Sequence, residues 1–151
     1  MLTKENILHF LKKGRLEHIP FGMELEALVS RLGPAECTET VGKKDSRLQL
    51  LKYDRIEFHF STGERQLLRG IQVTHLKPCA AFMLKLDHGE IDRSARYEEV
   101  KETLEDNEIT FRESYSASDL NAPVMITDTG ITFYFSEGGL IEKYGRFLQG
   151  L

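Results

Sequence analysis

With 151 residues, 40% of them apolar, the chain can bury roughly two-thirds of its unfolded surface within one domain. Nine Phe and five Tyr with no Trp is an ordinary soluble composition. A net charge of −4 argues against a protein drawn as a whole to nucleic acid or to an anionic membrane, and leaves basic protein partners possible.

Leu2-Thr3 opens the first helix, because Thr3 can cap it and Leu2 can staple onto Ile7. Ile7, Leu8, Phe10 and Leu11 form an apolar stripe that ends near Lys13-Gly14. Asn6 and His9 interrupt the stripe and Lys12-Lys13 follow it, so no signal peptide is expected. No apolar run is long enough for a helical span, and the expected location is cytoplasmic. Ile19-Pro20-Phe21-Gly22 reads as a turn, and a second helix runs from about Met23 to Leu32. Glu24 and Glu26 suit the positive end of its dipole; Gly33 supplies the C′ residue and Pro34 bars continuation.

From Ser46 the period changes to two. Leu48 and Leu50 alternate with Gln49 and Leu51, and Ile56, Phe58 and Phe60 alternate strictly with Glu57 and His59. A turn at Thr62-Gly63-Glu64 leads to a strand over Leu67 to Thr74, and Ala80 to Leu86 reads as another. Ser94 is a candidate cap for a helix to about Glu105. Ile109 to Tyr115, Val124 to Thr127, Ile131 to Ser136 and Leu140 to Tyr144 are the remaining predicted strands, with a polar loop over Ser116 to Pro123.

The same unit occurs twice. Ile56, Phe58 and Phe60 map onto Ile131, Phe133 and Phe135 with a constant offset of 75 (131 minus 56). Leu25, Leu28 and Leu32 map onto Tyr97, Val100 and Leu104 with an offset of 72 (97 minus 25). Such self-similarity predicts one α+β domain of two repeats, about residues 1–75 and 76–151. The repeats share one continuous antiparallel sheet with the helices packed on one face.

Two motifs carry a resemblance: the helix end Leu32-Gly33-Pro34-Ala35 and the strand Tyr53-Asp54-Arg55-Ile56-Glu57-Phe58-His59-Phe60. Together they resemble small bacterial proteins of the β-lactamase-inhibitor-protein-like fold, which is shared with small lipoproteins of the outer-membrane assembly machinery. The resemblance implies tandem copies forming a saddle-shaped sheet, and a role in protein binding. There is no lipobox cysteine, and Glu105-Asp106-Asn107 stand where the first copy has Gly33-Pro34-Ala35. The matching positions are fold positions, so no inhibitory residue carries over.

Chemistry-bearing constellations are sparse. His75 and Cys79 lie four apart, with His59 and His88 nearby in sequence, but no second close pair completes a zinc set. Cys79 follows Pro78 and begins an apolar run, which suits a buried, inert thiol; Cys37 and Cys79 are both expected to be reduced. Asp87, Glu90 and Asp92 flank His88-Gly89 in a turn, and Glu98, Glu99, Glu102 and Glu105 form a wet helix face with Lys101 interleaved. Gly63 and Gly138-Gly139 sit in hairpin turns with no helix start behind them to cradle an anion. Lys43-Lys44 with Arg47 is too short for a nucleic-acid patch. No catalytic residue, metal site or cofactor is expected.

The remaining candidates lie opposite the core face: Arg55, Glu57 and His59 on one strand, Thr132 and Tyr134 on its counterpart. Arg, His and Tyr in such a place suit partner recognition. A non-enzymatic cytoplasmic protein-binding module, of the immunity or inhibitor type, is the leading expectation. The alternative is a small-ligand or enzymatic domain using a cavity lined by His59, His75 and Tyr134.

Overall fold

The computed structural model describes residues 4–42, 47–53, 56–74, 95–115 and 122–148, with the backbone alone over 4–8. The expected cap at Thr3, the cap at Ser94 and the strand over 80–86 lie outside these residues. Three helices are described: α1 (Lys4–Lys13), α2 (Leu25–Leu32) and α3 (Tyr97–Asp106). The strands are β1 (Cys37–Val41), β2 (Leu48–Tyr53), β3 (Ile56–Ser61), β4 (Leu68–Thr74), β5 (Phe111–Tyr115), β6 (Pro123–Thr127), β7 (Thr132–Phe135) and β8 (Ile141–Phe147). Among the described residues no helix is long and apolar enough to cross a membrane.

All eight strands form one antiparallel sheet in the order β1-β2-β3-β4-β8-β7-β6-β5. Two four-stranded meanders thus meet at their last strands, β4 and β8. One strand was not visible in the sequence. β1 reads Cys-Thr-Glu-Thr-Val with four of its five residues exposed, so it is an edge strand with little apolar alternation to betray it. Its partner β2 sends Leu51 and Tyr53 into the main core cluster, while Leu50 is buried outside it.

The two meanders repeat the same contacts. Ile56, Phe58 and Phe60, and Ile131, Phe133 and Phe135, all lie in the one buried cluster. Phe10 and Leu11 of α1, Leu28 of α2, and Val100 and Leu104 of α3 join that cluster. Before α2, Leu25 N–H donates to Gln66 and Leu68 N–H to Met23; before α3, Tyr97 N–H donates to Gly139 and Ile141 N–H to Ala95. Each hairpin closes on a serine: Leu67 N–H donates to Ser61 Oγ at 3.1 Å, and Leu140 N–H to Ser136 Oγ at 3.2 Å. Each third strand has a register shift at the same place, between His59 and Phe60 and between Tyr134 and Phe135. The second turn is two residues shorter, so the offset of 75 falls to 73 in β4 and β8 (141 minus 68).

These registers place a local twofold between Gln72 and Gly145. Gln72 faces Glu57, Gly145 faces Thr132 at the corresponding place, and Gln72 and Gly145 face each other. A Cβ on Gly145 would stand 2.6 Å from the Ile71 carbonyl oxygen, so this contact requires glycine.

The helix ends differ. Gly33, at φ 86°, ends α2 with its N–H on Val29, and its carbonyl accepts the Tyr53 hydroxyl at 2.6 Å. Burial pushes the Tyr53 phenol pKa up. Past α3 the left-handed residue is Glu108, at φ 57°, with Glu108 N–H on Glu105 and Ile109 N–H on Leu104. The cap residue of α3 is Arg96 rather than Ser94, and its side chain makes no capping bond. The end of α1 is tied to the second meander: Arg146 Nη1 donates to the Gly14 carbonyl at 2.8 Å, and Thr129 Oγ1 to the Leu11 carbonyl at 3.3 Å.

Candidate functional site

Strand alternation places three rows of side chains on the sheet face opposite Phe58 and Phe133. The middle row crosses the local twofold: Lys52, Glu57, Gln72, Gly145, Thr132, Ile126 and Arg112. On one side run Leu50, His59, Gly70 and Phe147. On the other run Thr74, Lys143, Tyr134, Val124 and Ser114. Glu57, His59, Thr132 and Tyr134 therefore share a face, but not one cluster. Glu57 and Thr132 stand three strands apart on the middle row, and His59 and Tyr134 occupy opposite outer rows. Arg55 lies outside the described residues.

Two of these positions are less open than alternation implies. His59 is only 8% exposed. The Phe147 ring covers it edge-on, with centroids 4.8 Å apart and planes at 87°. That ring occupies the space left by Gly70, where any Cβ would collide with it. A distant aromatic and a neighbouring glycine thus bury a histidine that its own strand would leave wet.

Glu57 is likewise not a solvated carboxylate. Its side chain is 14% exposed, with Lys52 Nζ at 3.9 Å and His59 Nε2 at 3.4 Å. Gln72 Nε2 donates to it at 3.4 Å. Both His59 ring nitrogens are buried without a hydrogen-bond partner, so the His59–Glu57 approach is a close polar contact off hydrogen-bond geometry. The adjacent imidazole is the largest influence holding the Glu57 carboxyl below its ordinary pKa; burial opposes it, and Lys52 and Lys143 add to it. Lys52 also reaches Glu39 at 3.3 Å, so two carboxylates of the first meander share one lysine.

The second meander is arranged differently. Lys143 Nζ lies over the Tyr134 ring, 5.1 Å from its centroid. Phe147 is 45% exposed. Lys52, Gln72, Arg112, Lys143 and Phe147 were not among the sequence-derived candidates. The signal for the last two was available: Lys143 alternates with Tyr144 inside the predicted strand, and Gly145 and Phe147 continue that alternation beyond it, where the apolar pattern fades.

Other clusters read as structural. Tyr97 packs on Phe135 with centroids 5.0 Å apart. Burial, then a hydrogen bond to Glu113, pushes its phenol up to about 12. Lys101 and then Tyr97 hold the Glu113 carboxyl below its ordinary range, with Lys101 Nζ at 3.1 Å. An open cavity of about 350 Å³ lies between Lys12, Asn107, Glu108, Asp128 and Thr129, away from the three rows. Among the described residues no group of three or more His, Cys, Asp or Glu is placed to hold a metal ion. His75, Cys79, Asp87, His88, Glu90 and Asp92 lie outside the described residues.

Comparison with family models, with curated proteins and with solved structures returned no match.

Proposed function

We propose that the chain is a non-enzymatic cytoplasmic protein-binding module of the immunity or inhibitor type. On this reading it is a single domain built as a tandem duplication, about residues 1–75 and 76–151, in a fold like that of the β-lactamase-inhibitor-like proteins. The helices pack on the Phe58/Phe133 face and a partner docks on the other. One observation carries the reading: Phe147 is 45% exposed on a strand in the middle of the sheet, in the row facing away from the core. An aromatic left half-open there, with Tyr134 and Lys143 on the same face, is the composition of an interface centre. The alternative, a small-ligand or enzymatic domain using a cavity lined by His59, His75 and Tyr134, has His59 and Tyr134 in opposite rows and His75 outside the described residues.

A photo-crosslinking residue at Thr132, compared with one at Glu102 on α3, tests the docking face. In extracts of the source cells, position 132 should capture one protein stoichiometrically and position 102 none. The adduct should disappear on Tyr134→Ala or Phe147→Ala with the circular dichroism spectrum unchanged. Equal yields from both positions, or none from 132, remove the proposal.

A further inference from the structure

The two meanders meet on one face but are charged differently, and that difference points to the chemistry of a partner. In the first meander the face carboxylates Glu39 and Glu57 share Lys52 at 3.3 and 3.9 Å. In the second, the residues in regular alternation include Arg112 and Lys143 but no carboxylate. Neither cation has a carboxylate within 4 Å among the described residues. Glu142, the extra residue of the β8 register shift, is exposed beside Lys143 without pairing to it. The half-buried Lys143 has the Tyr134 ring as its contact, an arrangement that orients an ammonium without neutralising it.

We infer that this half of the face docks an acidic polypeptide segment, whose carboxylates meet Lys143 and Arg112 while its apolar groups cover Tyr134 and Phe147. This rests on the docking function proposed above and adds the chemistry of the partner. The two cations stand three strands and two residues apart, roughly 16 Å at ordinary sheet spacings. An extended segment spans that with carboxylates about five residues apart. A nucleic acid fits less well. Two separated cations are too few to give appreciable phosphate-backbone affinity. Cations with no carboxylate partner among the described residues also favour fast, salt-sensitive association with an acidic segment.

The test is a titration of the ¹⁵N-labelled full chain, followed by NMR. The probes are a serine-rich decapeptide carrying two glutamates about five residues apart and its glutamine counterpart. The acidic peptide should shift Thr132, Tyr134 and Lys143, bind at least about tenfold more tightly than the glutamine peptide, and weaken steeply with salt. Arg112→Gln with Lys143→Gln should abolish that advantage, Arg65→Gln should leave it intact, and Glu142→Gln should strengthen it. Equal binding of the two peptides, shifts scattered over exposed lysines elsewhere, or an undiminished double variant would each overturn the inference. So would a single-stranded oligonucleotide or a phosphatidylglycerol vesicle that displaces the acidic peptide at about 0.15 M salt. A protein captured through position 132 whose docking segment is neutral or basic sinks the acidic inference and leaves the docking function standing. Capture of no protein removes both.

Discussion

Phe58 and Phe133 occupy corresponding places in the two meanders and are equally buried, yet their strand neighbours on the other face share no chemistry. Glu57 and His59 stand on one side of the local twofold, Thr132 and Tyr134 on the other. Across the β4–β8 seam, Gly70 faces Phe147 while Thr74 faces Lys143. The core face repeats because close packing tolerates few changes of shape or volume. The opposite face has no such constraint. One half holds a part-buried Lys–Glu–His group, and the other a set of cations and aromatics with no carboxylate within 4 Å of Arg112 or Lys143 among the described residues. A difference between halves that share a scaffold is therefore more informative about function than the scaffold.

The most severe way to break this comparison is to remove its shared part. Phe58→Ala and Phe133→Ala should each cost about 3–5 kcal/mol in urea unfolding, the range for a large aromatic lost from a core. Their surroundings differ: Phe58 meets Tyr53 edge-on at 5.8 Å, and Phe133 stacks on Tyr144 at 4.9 Å. A loss under about 1.5 kcal/mol at either position would mean the halves are not packed alike.

The seam is the next target. Gly145→Ala should cost about 1–3 kcal/mol, because its new Cβ would press on the Ile71 carbonyl and Gln72 Cα, which are backbone and cannot swing aside. Gly138→Ala, whose nearest neighbour would be Ser136 Oγ at 3.8 Å, should change thermal stability little. Similar costs at the two glycines would argue against a close approach of β4 and β8.

Glu57→Gln sharpens the contrast in charge, with a cost of about 1 kcal/mol at pH 7 for loss of charge-assisted contacts. The folded-state pKa of Glu57 lies below its unfolded value. Its contribution is therefore fully present above the ordinary glutamate range and is lost as pH falls through the lower folded value. Wild type should lose stability in that acidic interval, and the Gln variant should show a shallower slope there. Parallel pH profiles would mean that the Lys52–Glu57–His59 group adds nothing to folding.

The smallest effect is a gain. Gly33 and Glu108 both follow a helix with positive φ, but only the first is glycine. Glu108→Gly should stabilise by about 0.5–1 kcal/mol, by relieving a left-handed side-chain conformation. A loss instead would show that the Glu108 side chain, which lines the cavity near Lys12, makes a stabilising contact there.

Much of the scaffold was legible because it is written in local periods. The strict alternation of Ile56, Phe58 and Phe60 located β3 and its core face, and the same pattern at Ile131 to Phe135 located β7. Gly33-Pro34 marked the end of α2 because both residues oppose continuation of a helix. β1 was not legible, since an exposed edge strand has no buried face to impose alternation on it. Of the candidate positions, alternation assigned Glu57, His59, Thr132 and Tyr134 to the right face, but not their burial. His59 is covered by Phe147, 88 residues away in sequence (147 minus 59), through a gap that exists because Gly70 lies between them.

The sequence by itself located seven of the eight described strands and the core side of β3 and β7, and it carries their Ile/Phe pattern twice. Those properties follow from side-chain period and local backbone preference, which act over a few residues. Only the tertiary structure decided that the meanders join through β4 and β8, that Gln72 and Gly145 face each other at the local twofold, and that Lys52, Glu57 and His59 gather on one side of it while Lys143 lies over Tyr134 on the other. Strand order and cross-strand neighbours depend on contacts between distant segments, and no local pattern specifies which strand pairs with which.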